Sequence, residues 1–392
     1  MKNVLILSSS YGEGHQQVAK AIAEKIKAQD QSCNPIIIDF IAWSHPLLFR
    51  TIQHFYLNSV KLFPSLYGYV FQKTRYSNSS SKRLNWLISS EMDRMLQLIK
   101  EVKPTLIVST FPYPEAILSR LKELNLINIP TITSLTDYTD HSSWINQFTD
   151  HYLVGSHSVR KNLQKKGVPL SKITVSGIPV KSEFLQQYSV EELQVKHGID
   201  PKIPTLLLMG GGCGLFGQNL KILDKIEEIE TSLQIIIVCG HNQKLFHRLK
   251  KRIVNSKHRI ILKKYVTYVN ELMAISDLLI TKPGGVTSSE AIAMDLPMLL
   301  IDPLPGQEED NASFLTEAGI AILATCHDDL KPTLNELITN KEKLILMQMK
   351  AKQLKSSLVS LDILKRYLQL GTMRSIEQRL YDNQGEMVVY AK

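Results

Sequence analysis

The stretch Thr281-Lys282-Pro283-Gly284-Gly285-Val286-Thr287-Ser288-Ser289-Glu290-Ala291 decides how the second half of this 392-residue chain folds. The apolar run Leu278 to Ile280 ends in its Pro-Gly-Gly turn, and a helix pattern from Ser288 to Met294 follows. This order predicts a strand, a turn and a helix start, where glycines let the backbone approach a ligand and the first-turn amides favour an anionic oxygen. A glycine-rich turn that serves packing alone is the alternative.

Further loops of the same kind surround this stretch. The apolar run Pro297 to Ile301 leads into a polar loop from Pro303 to Ala312, so two loops leave the same edge of one sheet. The run Gly210 to Gly217 follows a predicted strand and is rich enough in glycine to hold a diphosphate through the amides of Gly211 and Gly212. Strands alternate with helices throughout, which predicts a doubly wound parallel sheet.

The first half repeats the scheme, with predicted strands at Val4 to Leu7, 105–109, 131–135, 151–155 and 173–176. After the first strand comes Ser8-Ser9-Ser10-Tyr11-Gly12-Glu13-Gly14-His15 and then a helix pattern. His15 would lie at the helix start, where the dipole favours a neutral imidazole that can act as a base. A structural histidine is the alternative. Asp137 opens the loop after 131–135 and could equally be a helix cap.

Composition and charge narrow the class of protein. No long uncharged apolar run and no signal-peptide pattern is present, and the four cysteines lack the spacing of a zinc site or a disulfide framework. We therefore expect a cytoplasmic protein without a metal. The net charge of +9 is uneven, because residues 1–180 hold 20 Lys+Arg against 12 Asp+Glu.

The segment 40–76 contains 10 of the 28 aromatic residues, and no acidic residue lies between Asp39 and Glu91. Apolar side chains interleaved with Lys and Arg are typical of a segment that lies in the headgroup region of an anionic membrane. The alternative is a helical insertion that packs in the core, and no nucleic-acid-binding module is visible. The candidate membrane-contacting residues are Trp43, Arg50, Phe55, Lys61 and Phe63.

Together, these loops resemble the nucleotide-sugar glycosyltransferases of the GT-B fold. The resemblance runs from Met1 to about Arg366. It is strongest to the monogalactosyldiacylglycerol synthase and processive diacylglycerol glucosyltransferase family, with the peptidoglycan transferase MurG more distant. It implies an α/β protein whose two Rossmann-like domains face a cleft. We expect an acceptor domain at 1–180, a linker at 181–200, a UDP-sugar domain at 201–355, and at 356–392 a helix that returns to the first domain, followed by a tail.

The resemblance also implies roles for individual residues. It makes His15 of the Gly12-x-Gly14-His15 motif catalytic, with Asp137, His141 and Trp144 orienting the base or the acceptor. Donor contacts would involve Gly284 and Gly285 for the diphosphate, Tyr265 and Val266 for uracil, Glu290 for ribose, and Gln307, Glu308 and Asn311 for the sugar.

The implied reaction is an inverting, metal-independent transfer of a hexose from UDP-glucose or UDP-galactose to diacylglycerol at the inner face of the cell membrane. Three alternatives stay open. They are a MurG-like transfer of N-acetylglucosamine to a polyprenol-linked acceptor, a sugar-nucleotide epimerase, and a UDP-sugar sensor without catalysis. The residues do not show which sugar is transferred, nor whether one sugar or several are added to the acceptor.

Overall fold

The computed structural model describes residues 2–10, 12–47, 49, 62–76, 82–211, 221–324, 327–356, 358 and 361–371. Two parallel sheets account for the strands in these residues, each with six strands. Their orders are β2-β1-β3-β4-β5-β6 and β12-β11-β10-β7-β8-β9. The strands are β1 Lys2–Ser8, β2 Cys33–Asp39, β3 Leu106–Ser109, β4 Thr131–Ser134, β5 His151–Val154, β6 Ile173–Val175, β7 Thr205–Met209, β8 Gln234–Val238, β9 Arg259–Lys263, β10 Leu278–Thr281, β11 Met298–Leu300 and β12 Ala321–Leu323.

Helices connect these strands and cover both faces of each sheet. Within the described ranges they are α1 Glu13–Gln29, α2 Phe40–Ser44, α3 Pro64–Thr74, α4 Lys82–Val102, α5 Pro112–Glu123, α6 His157–Lys165, α7 Val190–His197, α8 Lys221–Glu227, α9 Gln243–Arg252, α10 Val269–Ala274, α11 Gly285–Ala293, α12 Gln307–Glu317, α13 His327–Thr339, α14 Lys341–Ser356 and a last helix at 363–371. The prediction of two doubly wound parallel sheets is confirmed.

The central strands are buried on both faces because helices lie above and below them. β1 contributes Val4 and Ile6 to one core cluster and Leu5 and Leu7 to another, as its alternating side chains require. The first of these clusters also contains residues of the second sheet, such as Leu279. The two halves of the chain therefore share part of their core.

The expected linker is folded in the structure. Residues Ser182–Leu185 form a 3₁₀ turn, Phe184 is buried, and α7 follows. At the other end of the chain, residues 361–371 lie against the first sheet's half of the molecule. Gln29 donates to the Leu361 carbonyl at 3.2 Å, and Tyr367 Oη donates to the Asp150 carbonyl at 3.2 Å.

The loops that follow β1, β3 and β4 face the loops that follow β10 and β11. They come close together at Gly285, where a Cβ atom would lie 2.2 Å from the Thr136 carbonyl oxygen. Only glycine leaves room for this contact, so the start of α11 and the loop after β4 come together directly.

Candidate active site

His15 lies in the first turn of α1, where its ring is held by the strand next to β1. Its Nδ1 lies 2.8 Å from the carbonyl oxygen of Thr110, the residue after β3. A carbonyl can only accept, so Nδ1 carries the proton and donates. Nε2 of the neutral ring therefore keeps its lone pair, and that nitrogen is free of any partner among the described residues.

The surroundings of His15 favour this neutral form. Phe111 packs edge-on against the ring at 5.1 Å between centroids, and Trp144 lies 6.4 Å away. Burial lowers the pKa of His15, and the carboxylate of Asp137 and the Thr110 hydrogen bond only partly oppose this. His15 is thus neutral at pH 7 and able to accept a proton.

Asp137 reaches His15 through a hydroxyl group. The Oγ1 atom of Thr136 lies 3.1 Å from His15 Nδ1 and 3.4 Å from Asp137 Oδ2. On its other side, Asp137 Oδ1 accepts from Asn311 Nδ2 at 2.9 Å. Asp137 therefore sits between the candidate base and the second half of the chain.

A cavity of about 460 Å³ opens between the two halves. His15, Asp137 and Gly14 line it from the first half. The predicted donor-binding residues that line it are Gly211, Tyr265, Val266, Gly284, Gly285, Glu290, Gln307 and Glu308. Its volume is within the range of small-molecule sites.

Glu290 is a buried carboxyl group in the wall of this cavity. Burial raises its pKa to about 8, although the ammonium of Lys181 opposes the shift. Within the described part of the chain, no hydrogen bond reaches the Glu290 side chain. A ligand with hydroxyl donors could satisfy it.

Gln307 and Glu308 begin α12 and also line the cavity. Tyr67 Oη donates to Gln307 Oε1 at 2.7 Å, and the Leu304 amide donates to Glu308 Oε2 at 2.7 Å. Burial raises the pKa of Glu308, whereas the nearby Lys282 lowers it.

Asn311 does not line the cavity. It is fully buried, and its amide donates to Asp137 Oδ1 and to the Pro283 carbonyl, both at 2.9 Å. Its Oδ1 accepts from the Tyr138 amide at 2.7 Å. In this structure the side chain joins the two halves, so its predicted sugar contact remains a prediction.

His141 and Trp144 lie in the wall behind the cavity. His141 Nδ1 accepts from the Ser143 amide at 3.1 Å, so Nε2 carries the proton and donates to the Phe71 carbonyl at 3.2 Å. The side chain thereby anchors α3. Trp144 is 4% exposed and packs in a core cluster beside His15.

The predicted membrane-contacting residues have different environments. Phe63 is exposed, whereas Trp43 is partly buried and packs against the core cluster of Leu5 and Leu7, with its ring 6.3 Å from that of Phe40. Arg50, Phe55, Lys61 and the donor residue Gly212 lie outside the described residues.

Lys282, within the stretch Thr281 to Ala291, is a cavity residue to which the sequence-based predictions give no role. Lys282 lines the cavity beside the Gly284-Gly285 turn and has no ion pair among the described residues. A lysine between a strand end and a glycine-rich turn is the sequence pattern from which this cation in the cavity could have been predicted. Lys20 and Lys181 also line the cavity.

Two other features are absent from the described residues. No three His, Cys, Asp or Glu side chains come together as a metal-binding group in this part of the chain. None of the described helices has the length and apolar composition needed to cross a membrane.

Comparison with known proteins places this chain in a class. Residues 15–180 match the family model for monogalactosyldiacylglycerol (MGDG) synthase, and residues 205–363 match the glycosyltransferase family 28 C-terminal domain. The solved MurG of Acinetobacter baumannii shares the fold, with a TM-score of 0.61 at 13% identity over 95% of this chain and 100% of that one. The fold and the matched domains define a glycosyltransferase of the GT-B fold.

Relatives of full length narrow this class to a family. A processive diacylglycerol beta-glucosyltransferase of Staphylococcus epidermidis is 31% identical over 392 residues, which is 100% of this chain and 98% of the relative. One from Bacillus subtilis is 29% identical over 96% of this chain and 98% of the relative. The chain belongs to the family of the processive diacylglycerol beta-glucosyltransferases.

Proposed function

We propose that this protein transfers a hexose from a UDP-sugar to the hydroxyl group of diacylglycerol, with inversion at the sugar carbon. The observation that carries the proposal is the hydrogen bond from His15 Nδ1 to the Thr110 carbonyl, which leaves Nε2 as a base in the wall of the cavity. The names of the relatives favour glucose, so UDP-glucose is the first donor to test, with UDP-galactose second.

His15 is the general base of this reaction. Its Nε2 accepts the proton of the acceptor hydroxyl while that oxygen attacks C1 of the sugar, and the bond from C1 to the UDP oxygen breaks on the opposite face. The resulting imidazolium is stabilised by the Asp137 carboxylate, whose charge favours the protonated ring. The proton goes to His15, the glycosyl group goes to the acceptor oxygen, and UDP departs, so the step balances without a metal or cofactor.

The departing UDP gains negative charge on its diphosphate. Three positive features of this chain meet that charge: the ammonium of Lys282, the amides of Gly284 and Gly285, and the N-terminal end of α11, which begins at Gly285. Fixed donors of this kind stabilise developing charge because they need no reorganisation. Metal-independent transfer is therefore part of the proposal.

The remaining cavity residues recognise the donor. Glu290 accepts hydrogen bonds from the ribose hydroxyls, and the backbone at Tyr265 and Val266 contacts uracil. Gln307 and Glu308 bind the hexose. The support for these roles is that all five residues line one cavity together with His15.

The acceptor reaches the cavity from a membrane surface. Helix α3 exposes Phe63, Leu66, Tyr69 and Val70, and we call these four residues the apolar face of α3. The sequence between Asp39 and Glu91 has basic but no acidic residues, which suits anionic headgroups, and insertion of such a face does not require a spanning helix. We propose peripheral attachment to the inner face of the cell membrane, with no role for nucleic acid.

The test is transfer from a panel of radiolabelled UDP-sugars to diacylglycerol in anionic liposomes, with EDTA present. A labelled glycolipid from UDP-glucose supports the reaction, names the sugar and supports metal independence. No product from any sugar, in a preparation that still binds UDP, contradicts the proposal and favours a polyprenol-linked acceptor or a sensor.

The matched control is His15→Ala. Because a general base contributes roughly 10²- to 10⁴-fold to the rate, this variant should lose transfer by about that factor while UDP-sugar affinity is retained. Transfer at the normal rate would show that His15 is not the base.

A further inference from the structure

One side of helix α3 is exposed, and its other side packs on the second half of the chain. A Cβ atom at Gly68 would lie 2.4 Å from Pro305 Cβ, and one at Gly306 would lie 3.0 Å from the Phe71 ring. These contacts place α3 against the loop that leads from β11 into α12. The apolar face and this packed face belong to one short helix.

The packed face makes polar contacts with the first turn of α12 at two points. Tyr67 Oη donates to Gln307 Oε1 at 2.7 Å, and Arg75, just after α3, donates to Asp310 Oδ1 at 2.9 Å. Gln307 and Asp310 are three residues apart and so lie on the same side of α12. The start of α12 is thus held against α3 by a hydroxyl and a guanidinium group.

The Tyr67 hydrogen bond occupies one end of the Gln307 amide. With Oε1 accepting from the phenol, the NH₂ group of Gln307 has no partner among the described residues, and Gln307 lines the cavity. The free end is a donor that suits a hydroxyl oxygen of a sugar. A flexible glutamine on its own would lose rotamer entropy on binding, and a hydrogen bond that already holds it reduces that cost.

We propose that Tyr67 is a positioning residue for the donor hexose, acting through Gln307. The inference rests on the proposed function, in which Gln307 contacts the sugar of UDP-glucose. It adds that the helix carrying the apolar face also completes the sugar end of the donor site. The sugar site is therefore assembled from both halves of the chain.

The experiment compares UDP-glucose with UDP by titration calorimetry in the absence of lipid. Tyr67→Phe keeps the ring and removes the hydroxyl, so UDP-glucose affinity should fall roughly three- to tenfold, as expected for one hydrogen bond, while UDP affinity stays the same. In steady-state assays the KM for the donor should rise and the KM for diacylglycerol should not. Tyr76→Phe is the control, because Tyr76 is exposed and has Lys166 Nζ 4.7 Å from its ring centroid.

A double variant distinguishes a specific effect of Tyr67 on Gln307 from a general loosening of the donor site. If Tyr67 acts through Gln307, then Tyr67→Phe combined with Gln307→Ala should bind UDP-glucose as Gln307→Ala alone does. Additive losses, an equal loss for UDP and UDP-glucose, or no loss in Tyr67→Phe would each overturn the inference.

The outcomes also separate this inference from the proposed function. If the wild-type protein binds UDP-glucose and Gln307→Ala weakens it, the donor assignment stands whatever Tyr67→Phe does. If Gln307→Ala leaves UDP-glucose affinity unchanged, the sugar contact and the positioning role fail together.

Discussion

Arg75 and Asp310 lie 235 residues apart in the chain, and Nη1 of the first is 2.9 Å from Oδ1 of the second. The same guanidinium donates to Asp140 at 2.6 Å, and the Thr139 hydroxyl donates to Asp310 at 2.7 Å. Arg75 therefore links the loop after β4 with the first turn of α12. All of these side chains are largely buried, so the pair is shielded from solvent.

Removing Arg75 should destabilise the protein because Asp310 then loses its cationic partner among the described residues, while Asp140 keeps only Lys166 Nζ at 3.3 Å. Arg75→Ala should cost about 3 kcal/mol of unfolding free energy, measured by denaturant titration. The control is Arg120→Ala, whose ion pair with Glu123 is 44% and 45% exposed and should cost less than about 1 kcal/mol. Equal losses in both variants would contradict the importance of the buried link.

The rate of transfer should depend on pH through His15. The base must be neutral, and burial lowers the pKa of His15 below 6.5, so kcat at saturating UDP-sugar should be constant around pH 7 and fall only as the pH drops through the lowered pKa. Asp137→Asn removes the charge that raises this pKa, so the acid limb should move to still lower pH. Asp30→Asn, beyond the far end of α1, should leave it in place. A limb that moves upward in Asp137→Asn would rule out this electrostatic role.

Binding of UDP should release a proton from Glu290. The pKa of this carboxyl is raised to about 8 in the free protein, so the group is largely protonated at pH 7. Ribose hydroxyls favour the ionised form, which lowers the pKa and strengthens binding as the pH rises towards 8. Calorimetry in buffers of different ionisation enthalpy should show the release, up to about one proton by this mechanism.

The variants Glu290→Gln and Glu290→Ala test the same group in two ways. The first should abolish the proton release. The second should weaken UDP binding by roughly 1.5–3 kcal/mol through the loss of hydrogen bonds to a charged group. Wild-type binding enthalpies that do not depend on the buffer would count against the ribose role.

Membrane attachment should depend on the apolar face of α3. Leu66 and Tyr69 are 60% and 62% exposed, and Leu66→Ser with Tyr69→Ser should reduce sedimentation with phosphatidylglycerol vesicles about tenfold or more, because each buried apolar side chain contributes roughly 1.5–3 kcal/mol. Leu124→Ser with Leu126→Ser changes two exposed leucines elsewhere and serves as the control. Similar losses in both pairs would argue against a specific face.

The sheets could largely be predicted from the sequence because their central strands are continuous apolar runs between polar loops. Two edge strands were missed. β2 contains Pro35 and lies at the end of the first sheet, where a missing amide donor is tolerated, and β12 lies at the end of the second sheet. Pro35 argues against a strand at β2, whereas the apolar run Ile320 to Ala324 around β12 is a strand signal that could have been recognised.

The site was predictable where residues follow strand ends, and less so where it depends on contacts between distant segments. His15, Glu290 and Gln307 each follow a strand of their own half, so local patterns indicated them. The Tyr67 contact with Gln307 spans 240 residues and follows from how the halves pack. The three hydrogen bonds that Asn311 makes within the protein also depend on that packing, so a local sequence pattern could not predict its buried position.

The fit of α3 against the loop before α12 constrains how such enzymes can be recombined. A chimera that joins one relative's first half to another's second half at 181–200 keeps each sheet intact. It nevertheless takes Gly68 and Pro305 from different relatives. These two residues are so close that a larger side chain at position 68 would clash with Pro305. Exchange of donor preference between relatives therefore requires residues 64–75 to be transplanted together with the second half of the chain.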